Sequence, residues 1–200
     1  MIAHEKKLKK AKYSYGLGLS LLEKEYISKI KGEFFLTLTH YDGRIEKRHI
    51  KNIIVDSCSL LIARLFACGQ AAIDPLGPAH GIWVLALGTG NPNWDKSNPP
   101  DPTPAQETLE AELSRKQFSY VGFVKTDGSG LPSNVVTNIV DFQTIFTESE
   151  AVGPLMEMGM FGGDANPLIA NSGLMVNYRT MAILTKPNTA TLSIIFRITC

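Results

Sequence analysis

Apolar and polar residues alternate along some stretches of this chain and run together along others, and the two patterns predict strands of different burial. Glu33 to Tyr41 alternates, with Phe34, Leu36 and Leu38 on one side and Thr37 and Thr39 on the other. That is the period of a strand with one buried face. Asp42-Gly43 follows and Arg44 to Val55 resumes a strand pattern, which predicts a hairpin turning on two residues that tolerate positive φ. In that register Leu38 faces Lys47, Leu36 faces His49 and Phe34 faces Lys51. The charges of the second strand suit a sheet edge. Thr191 to Cys200 alternates most cleanly, with Leu192, Ile194, Phe196 and Ile198 opposite Ser193, Arg197 and Thr199.

Elsewhere the apolar residues run without a break. Ile82 to Leu87 lies between Gly81 and Gly88, as expected for a strand buried on both faces. Met156, Met158, Met160 and Phe161 form an apolar patch that reads as a core strand or as an intersubunit contact, since methionine surfaces adapt to partners. Phe118 to Lys125 and Val135 to Thr147 are predicted strands joined through Asp127 to Gly130, with Val136, Val140, Phe142 and Phe146 on one face. Leu174 to Thr185 supplies another strand.

Two segments predict helices. Asp56 to Cys68 begins with capping residues, ends before Gly69, and is apolar nearly all round through Leu60, Leu61, Ile62, Leu65 and Phe66. A turn from Pro75 to Pro78 should deliver the chain from there into the Ile82 strand. Thr103-Pro104-Ala105-Gln106 has a cap, a proline and a glutamine at helix-start positions. A helix to about Lys116 would bury Leu109 and Leu113 and leave Glu107, Glu110 and Glu112 solvated. The fold expected is mainly β (α+β): an antiparallel β-sandwich with one or two packed helices and an N-terminal arm. Residues 1–31 form the basic arm or extension, and residues 32–200 a single β-rich domain.

Charge sharpens this division. The net charge of +1 conceals 12 Lys/Arg against 6 Asp/Glu in residues 1–51, and 8 against 13 in the rest. A nucleic-acid or membrane-surface role is thereby confined to the arm, where Lys6, Lys7, Lys9 and Lys10 read first as a solvated terminus and next as a reach onto a neighbouring subunit or an acidic surface. Three cysteines, Cys58, Cys68 and Cys200, make no disulfide framework and fit assembly in a reducing compartment. No signal peptide and no membrane-length apolar run is seen.

Candidate chemistry is sparse. Gly88-Thr89-Gly90 ends a strand, where a phosphate-binding turn could sit, but the proline-rich Asn91 to Pro104 follows instead of a helix. That loop holds five prolines and Trp94, which has little apolar support nearby. His4, His40, His49 and His80 are scattered, without metal-site spacing. Glu148, Glu150 and Glu157 supply carboxylates, but nothing in their pattern calls for glycoside hydrolysis, and no nucleophile motif is present. No catalytic residue, metal or cofactor is predicted.

The order of several motifs resembles that of small structural proteins from the tail, baseplate and fibre region of tailed bacteriophages. These motifs are Ala86-Leu87-Gly88-Thr89-Gly90, the proline loop, Thr108 to Arg115, the pair Phe142 and Phe146, and Glu150-Ala151-Val152-Gly153. Further on come Glu157-x-Gly159-x-Phe161, Asn177-Tyr178-Arg179-Thr180, Lys186 and Ile194 to Thr199. The resemblance spans residues 45–200. It implies a non-enzymatic virion protein, made in the host cytoplasm and assembled in several copies at a baseplate, neck, collar or fibre-attachment region. Its partners would be copies of itself and other phage structural proteins, with no nucleic acid, membrane or small-molecule substrate. Alternatives are a capsid-side decoration or head–tail joining protein, and a tail-tip carbohydrate module using Trp94 or Glu157. Contact candidates are Lys6, Lys7, Lys9, Lys10, Trp94, Met158, Met160 and Phe161. The resemblance also implies that Arg115 and Arg179 pair with Glu157, and that Lys186 is structural.

Overall fold

The computed structural model describes residues 30–58, 61–62 and 80–200. Ten strands follow in chain order: β1 (Lys31–His40), β2 (Ile45–Lys51), β3 (Ile53–Ile54), β4 (His80–Gly88) and β5 (Glu112–Gln117). Then come β6 (Tyr120–Phe123), β7 (Ile139–Phe146), β8 (Gly153–Gly163), β9 (Leu174–Lys186) and β10 (Ala190–Thr199). They form two antiparallel five-stranded sheets, β2-β1-β10-β7-β6 and β3-β9-β8-β4-β5. The chain passes between the sheets four times, from β2 to β3, β5 to β6, β7 to β8 and β9 to β10.

The two patterns of hydrophobicity correspond to the two sheets. Phe34, Leu36, Leu38, Leu192, Ile194 and Phe196 of the first sheet meet Leu85, Leu87, Met158 and Met160 of the second in one core. The other face of the first sheet is wet, so β1 and β10 alternate. The second sheet is covered on both faces. Its outer side carries Val84, Ala86, Phe161 and Tyr178 under Leu109 and Ala165, contributed by the segments after β4 and β8. A strand covered on both sides needs apolar residues at consecutive positions, as β4 and β8 have.

The β1–β2 hairpin forms, with β2 at a sheet edge, but its register differs by one residue from the expected one. Leu38 faces Glu46, Leu36 faces Arg48 and Phe34 faces Ile50. The loop has three residues, not two: His40 N donates to Arg44 O at 2.9 Å, Gly43 N to His40 O at 3.0 Å, and Gly43 has φ 84°. A type I turn closed by a left-handed glycine accounts for the extra residue. The shift turns Ile50 inward and Lys47, His49 and Lys51 outward, the lower-energy choice for ammonium groups.

The expected helix from Pro104 to Lys116 is absent; residues 105–111 are irregular and Glu112–Gln117 is β5. The N–H groups that a helix would bond internally have tertiary acceptors instead. Leu109 N donates to Asn171 Oδ1 at 2.9 Å, and Glu110 N and Ala111 N donate to Glu157. Pairing with β4 then holds β5 extended, an override of local propensity by the sheet. Leu109 is buried as expected, but Leu113 is exposed and the Glu112 side chain is buried. Val136 is also not in a strand. It is 80% exposed in the loop before β7. Of the expected Asp56–Cys68 helix, Asp56 is in a turn and Ser57, Cys58, Leu61 and Ile62 are helical; the rest lies outside the described residues, as do the Pro75–Pro78 turn and residues 1–29 of the expected arm, whose last residue, Lys31, opens β1 instead.

Candidate functional site

The Gly88-Thr89-Gly90 turn does cradle an anion, and the anion is the protein's own. Glu157, in the middle of β8, is fully buried. Its Oε1 accepts from Gly90 N at 3.1 Å and Ala111 N at 2.8 Å, and its Oε2 from Glu110 N at 2.9 Å and the Tyr178 hydroxyl at 2.6 Å. Four donors replace the water that a buried carboxylate gives up. Gly88 makes room for this, because a Cβ there would run into the Glu157 carboxyl and the Ala111 carbonyl. Gly90 takes φ 69° and lies under the Trp94 ring. Burial, and then the hydrogen bond to Glu157, push the Tyr178 phenol far above its ordinary range, so it stays a donor.

These contacts fasten the proline loop down. Ile183 N donates to Lys96 O at 2.8 Å, the Thr180 hydroxyl to Pro100 O at 2.7 Å, and Asp56 N to Pro104 O at 2.8 Å. The loop lies along the second sheet rather than projecting from it. Trp94 is half-buried against Gly90.

Arg115 has a different carboxylate from the one expected. Its Nε and Nη2 donate to Glu112 at 2.6 and 2.9 Å, while Nη1 donates to Asn166 O at 2.9 Å and Ser172 Oγ at 2.7 Å. Its guanidinium stands 4.8 Å from the Phe161 ring centre. Both side chains of the ion pair are almost wholly buried, at 4% and 3% exposure. Glu112 also accepts Asn171 N at 2.8 Å, so the pair ties the segment after β8 to β5. Among the described residues no cation is a partner of Glu157, and Arg179 Nε is buried without a hydrogen-bond partner. The structure thus places Arg115, Glu157 and Arg179 in three separate settings.

Lys186 is buried, donating to Thr147 O at 2.7 Å and Glu148 O at 3.1 Å. Desolvation pulls its pKa down, and Glu148 and Glu150 oppose the shift. Lys116 holds Glu150 at 2.7 Å, and this hydrogen bond, with that from Thr147 N, lowers the Glu150 pKa.

Met158, Met160 and Phe161 are fully buried in the chain's own interior, and so offer no surface to a neighbour here. Lys6, Lys7, Lys9 and Lys10 lie outside the described residues. An exposed apolar stretch lies between β6 and β7, where Leu131, Val135 and Val136 are 55% to 80% exposed; Tyr41, Ile45, Tyr120, Val121, Leu168 and Ile169 are exposed in other places. Sequence reasoning missed it because Val135 and Val136 continue the apolar pattern of β7. The one available signal was their position beside Pro132-Ser133-Asn134, a turn-rich run. Among the described residues no group of three or more His, Cys, Asp or Glu side chains could hold a metal, and no helix is long and apolar enough to cross a membrane.

In this β-rich fold the buried charged groups fasten loops to strands. A protein-family model described as "Baseplate wedge 3 tail fiber network component" matches residues 71–153, somewhat less than half of the chain. No curated protein matches the chain. The resemblance to phage tail and baseplate structural proteins holds, and the match supports a structural role in a phage tail.

Proposed function

We propose that this chain is a non-enzymatic virion protein that assembles in several copies in the phage tail, at a baseplate, neck, collar or fibre-attachment region. Its partners in this reading are copies of itself and other phage structural proteins, met during assembly in the host cytoplasm. The observation that carries it is the match of residues 71–153 to the baseplate family, within which Leu131, Val135 and Val136 are exposed apolar side chains of one loop. Apolar side chains exposed along one loop favour burial against a partner. The body of the protein, residues 32–200, would present this surface, while the basic residues 1–31, through Lys6, Lys7, Lys9 and Lys10, add an electrostatic attachment. The outer edge of Trp94 is a further contact, whereas Met158, Met160 and Phe161 serve the interior. The carbohydrate alternative loses support because Glu157 has no solvent access and Trp94 packs on Gly90.

The test is sedimentation of the purified chain beside a Val135→Asp/Val136→Asp variant, with mass spectrometry of purified particles. The wild type should sediment as an oligomer, the variant as a monomer with unchanged circular dichroism, and the protein should be found in particles. A strictly monomeric wild type that is absent from particles would overturn the reading. Immunogold labelling of heads instead of tails would move the protein to the capsid side.

A further inference from the structure

Two segments of the chain share one design, with hydrogen bonds turned inward and branched apolar side chains left outside. The first joins β8 to β9. Arg115 Nη1 donates to Asn166 O at 2.9 Å and to Ser172 Oγ at 2.7 Å, and Glu112 accepts Asn171 N at 2.8 Å. Within the segment Asn166 N donates to Ser172 Oγ, Leu168 N to Asn166 Oδ1 and Ser172 Oγ to Ile169 O, each at 2.8 Å. The base of this tip is pinned to a buried ion pair, yet Leu168 and Ile169 are 91% and 56% exposed. The second segment precedes β7. Ser133 N donates to Phe123 O at 2.8 Å, the Ser133 hydroxyl to Val135 O at 2.9 Å and the Thr137 hydroxyl to Val124 O at 2.7 Å. Between these anchors Val135 and Val136 are 69% and 80% exposed. Both segments are held in place before any partner arrives, which lowers the entropy lost on docking. Both are also uncharged, because no Asp, Glu, Lys or Arg occurs in residues 128–138 or 165–178. Tyr41 and Ile45, by contrast, are exposed next to Asp42, Arg44 and Glu46.

We propose that the Leu168–Ile169 tip of one copy packs on the Val135–Val136 loop of a second copy. This rests on the reading of the chain as a protein that assembles in several copies, and it names what covers the loop. Charge selects the pairing. An apolar side chain laid over a charged surface strips water from the ions and returns nothing, whereas two uncharged aliphatic patches bury each other. For that reason the tip does not suit the cleft beside the β1–β2 hairpin, whose lining includes Asp42, Arg44, Glu46 and Arg48. A membrane surface is disfavoured too, because neither segment has the Lys or Arg that draw a loop to anionic lipid. Since the contact joins two different patches, every copy carries both halves and the contact can pass from copy to copy.

Sedimentation of two full-length variants, first separately and then mixed, tests this. Leu168→Asp/Ile169→Asp loses the tip and keeps the receiving loop; Val135→Asp/Val136→Asp does the reverse. All four positions are exposed, so circular dichroism and the urea midpoint should stay at the wild-type values. Each variant alone should sediment as a monomer where the wild type is an oligomer. An equimolar mixture should form a one-to-one dimer, because one intact tip and one intact loop remain. A tip variant that assembles like the wild type, or a mixture that stays monomeric, would overturn the proposal and leave the virion role standing. A monomeric wild type would overturn it as well, and the virion role falls with it only if the protein is also absent from particles.

Discussion

Tyr178 donates its hydroxyl hydrogen to Glu157 Oε2 at 2.6 Å, and both side chains are closed off from solvent. The bond runs between β9 and β8 on the outer face of the second sheet. The same carboxylate takes three backbone N–H groups from the ends of the proline loop. One side chain therefore fixes the loop at Gly90 and again at Glu110 and Ala111.

Glu157→Ala should be among the most damaging single changes in the protein. It leaves three backbone donors and a phenol buried and unpaired, an expected loss of about 3–5 kcal/mol. Tyr178→Phe removes a single bond to a charged acceptor and should cost about 1.5–3 kcal/mol. Urea denaturation of both variants measures this. A smaller loss for Glu157→Ala than for Tyr178→Phe would show that the loop is held by other means.

The buried pair Glu112–Arg115 makes a second prediction. Arg115→Ala leaves the Glu112 carboxylate under the segment after β8 with only Asn171 N as donor, and should destabilise by about 3–5 kcal/mol. Replacing both partners with apolar residues should recover part of that loss, because no charge is then left uncompensated. A double-mutant cycle in denaturant reads the coupling. Strictly additive single losses would mean that the two side chains do not act together.

Cys58 gives the protein a dependence on alkaline pH. Burial, helped by the nearby Cys200, pushes its thiol from the ordinary 9.0 up to about 11. In the unfolded chain the thiol ionises near 9, while in the folded chain it stays protonated until about 11. The stability it contributes is therefore complete below pH 9 and is lost as pH rises toward 11, about 2–3 kcal/mol in all. In a Cys68→Ser background, Cys200, which is exposed, should react with a thiol reagent at pH 8 while Cys58 should not. The slope of stability between pH 9 and 11 should be shallower in Cys58→Ala. An equal slope in both proteins would remove Cys58 as the cause.

Periodicity alone separated the two kinds of strand in this protein. The alternation in β1 and β10 and the unbroken run in β4 each state how many faces of a sheet are covered, and a side chain's burial depends on that before anything else. The order of motifs likewise carried the likeness to phage tail proteins. What only the tertiary structure decided is how the polar groups are spent. Thr103 to Lys116 has sound helix-start chemistry, but Asn171, Glu157 and β4 offer its backbone better partners, and none of them is near in sequence. Arg115 and Glu157 both needed a buried counterpart; three-residue spacing gave Arg115 its own Glu112, and Glu157 was left to the glycine turn. The hairpin register moved by one residue through the geometry of a single left-handed glycine. Apolar burial follows from the residue itself and its period, whereas a hydrogen bond depends on which distant group arrives within 3 Å.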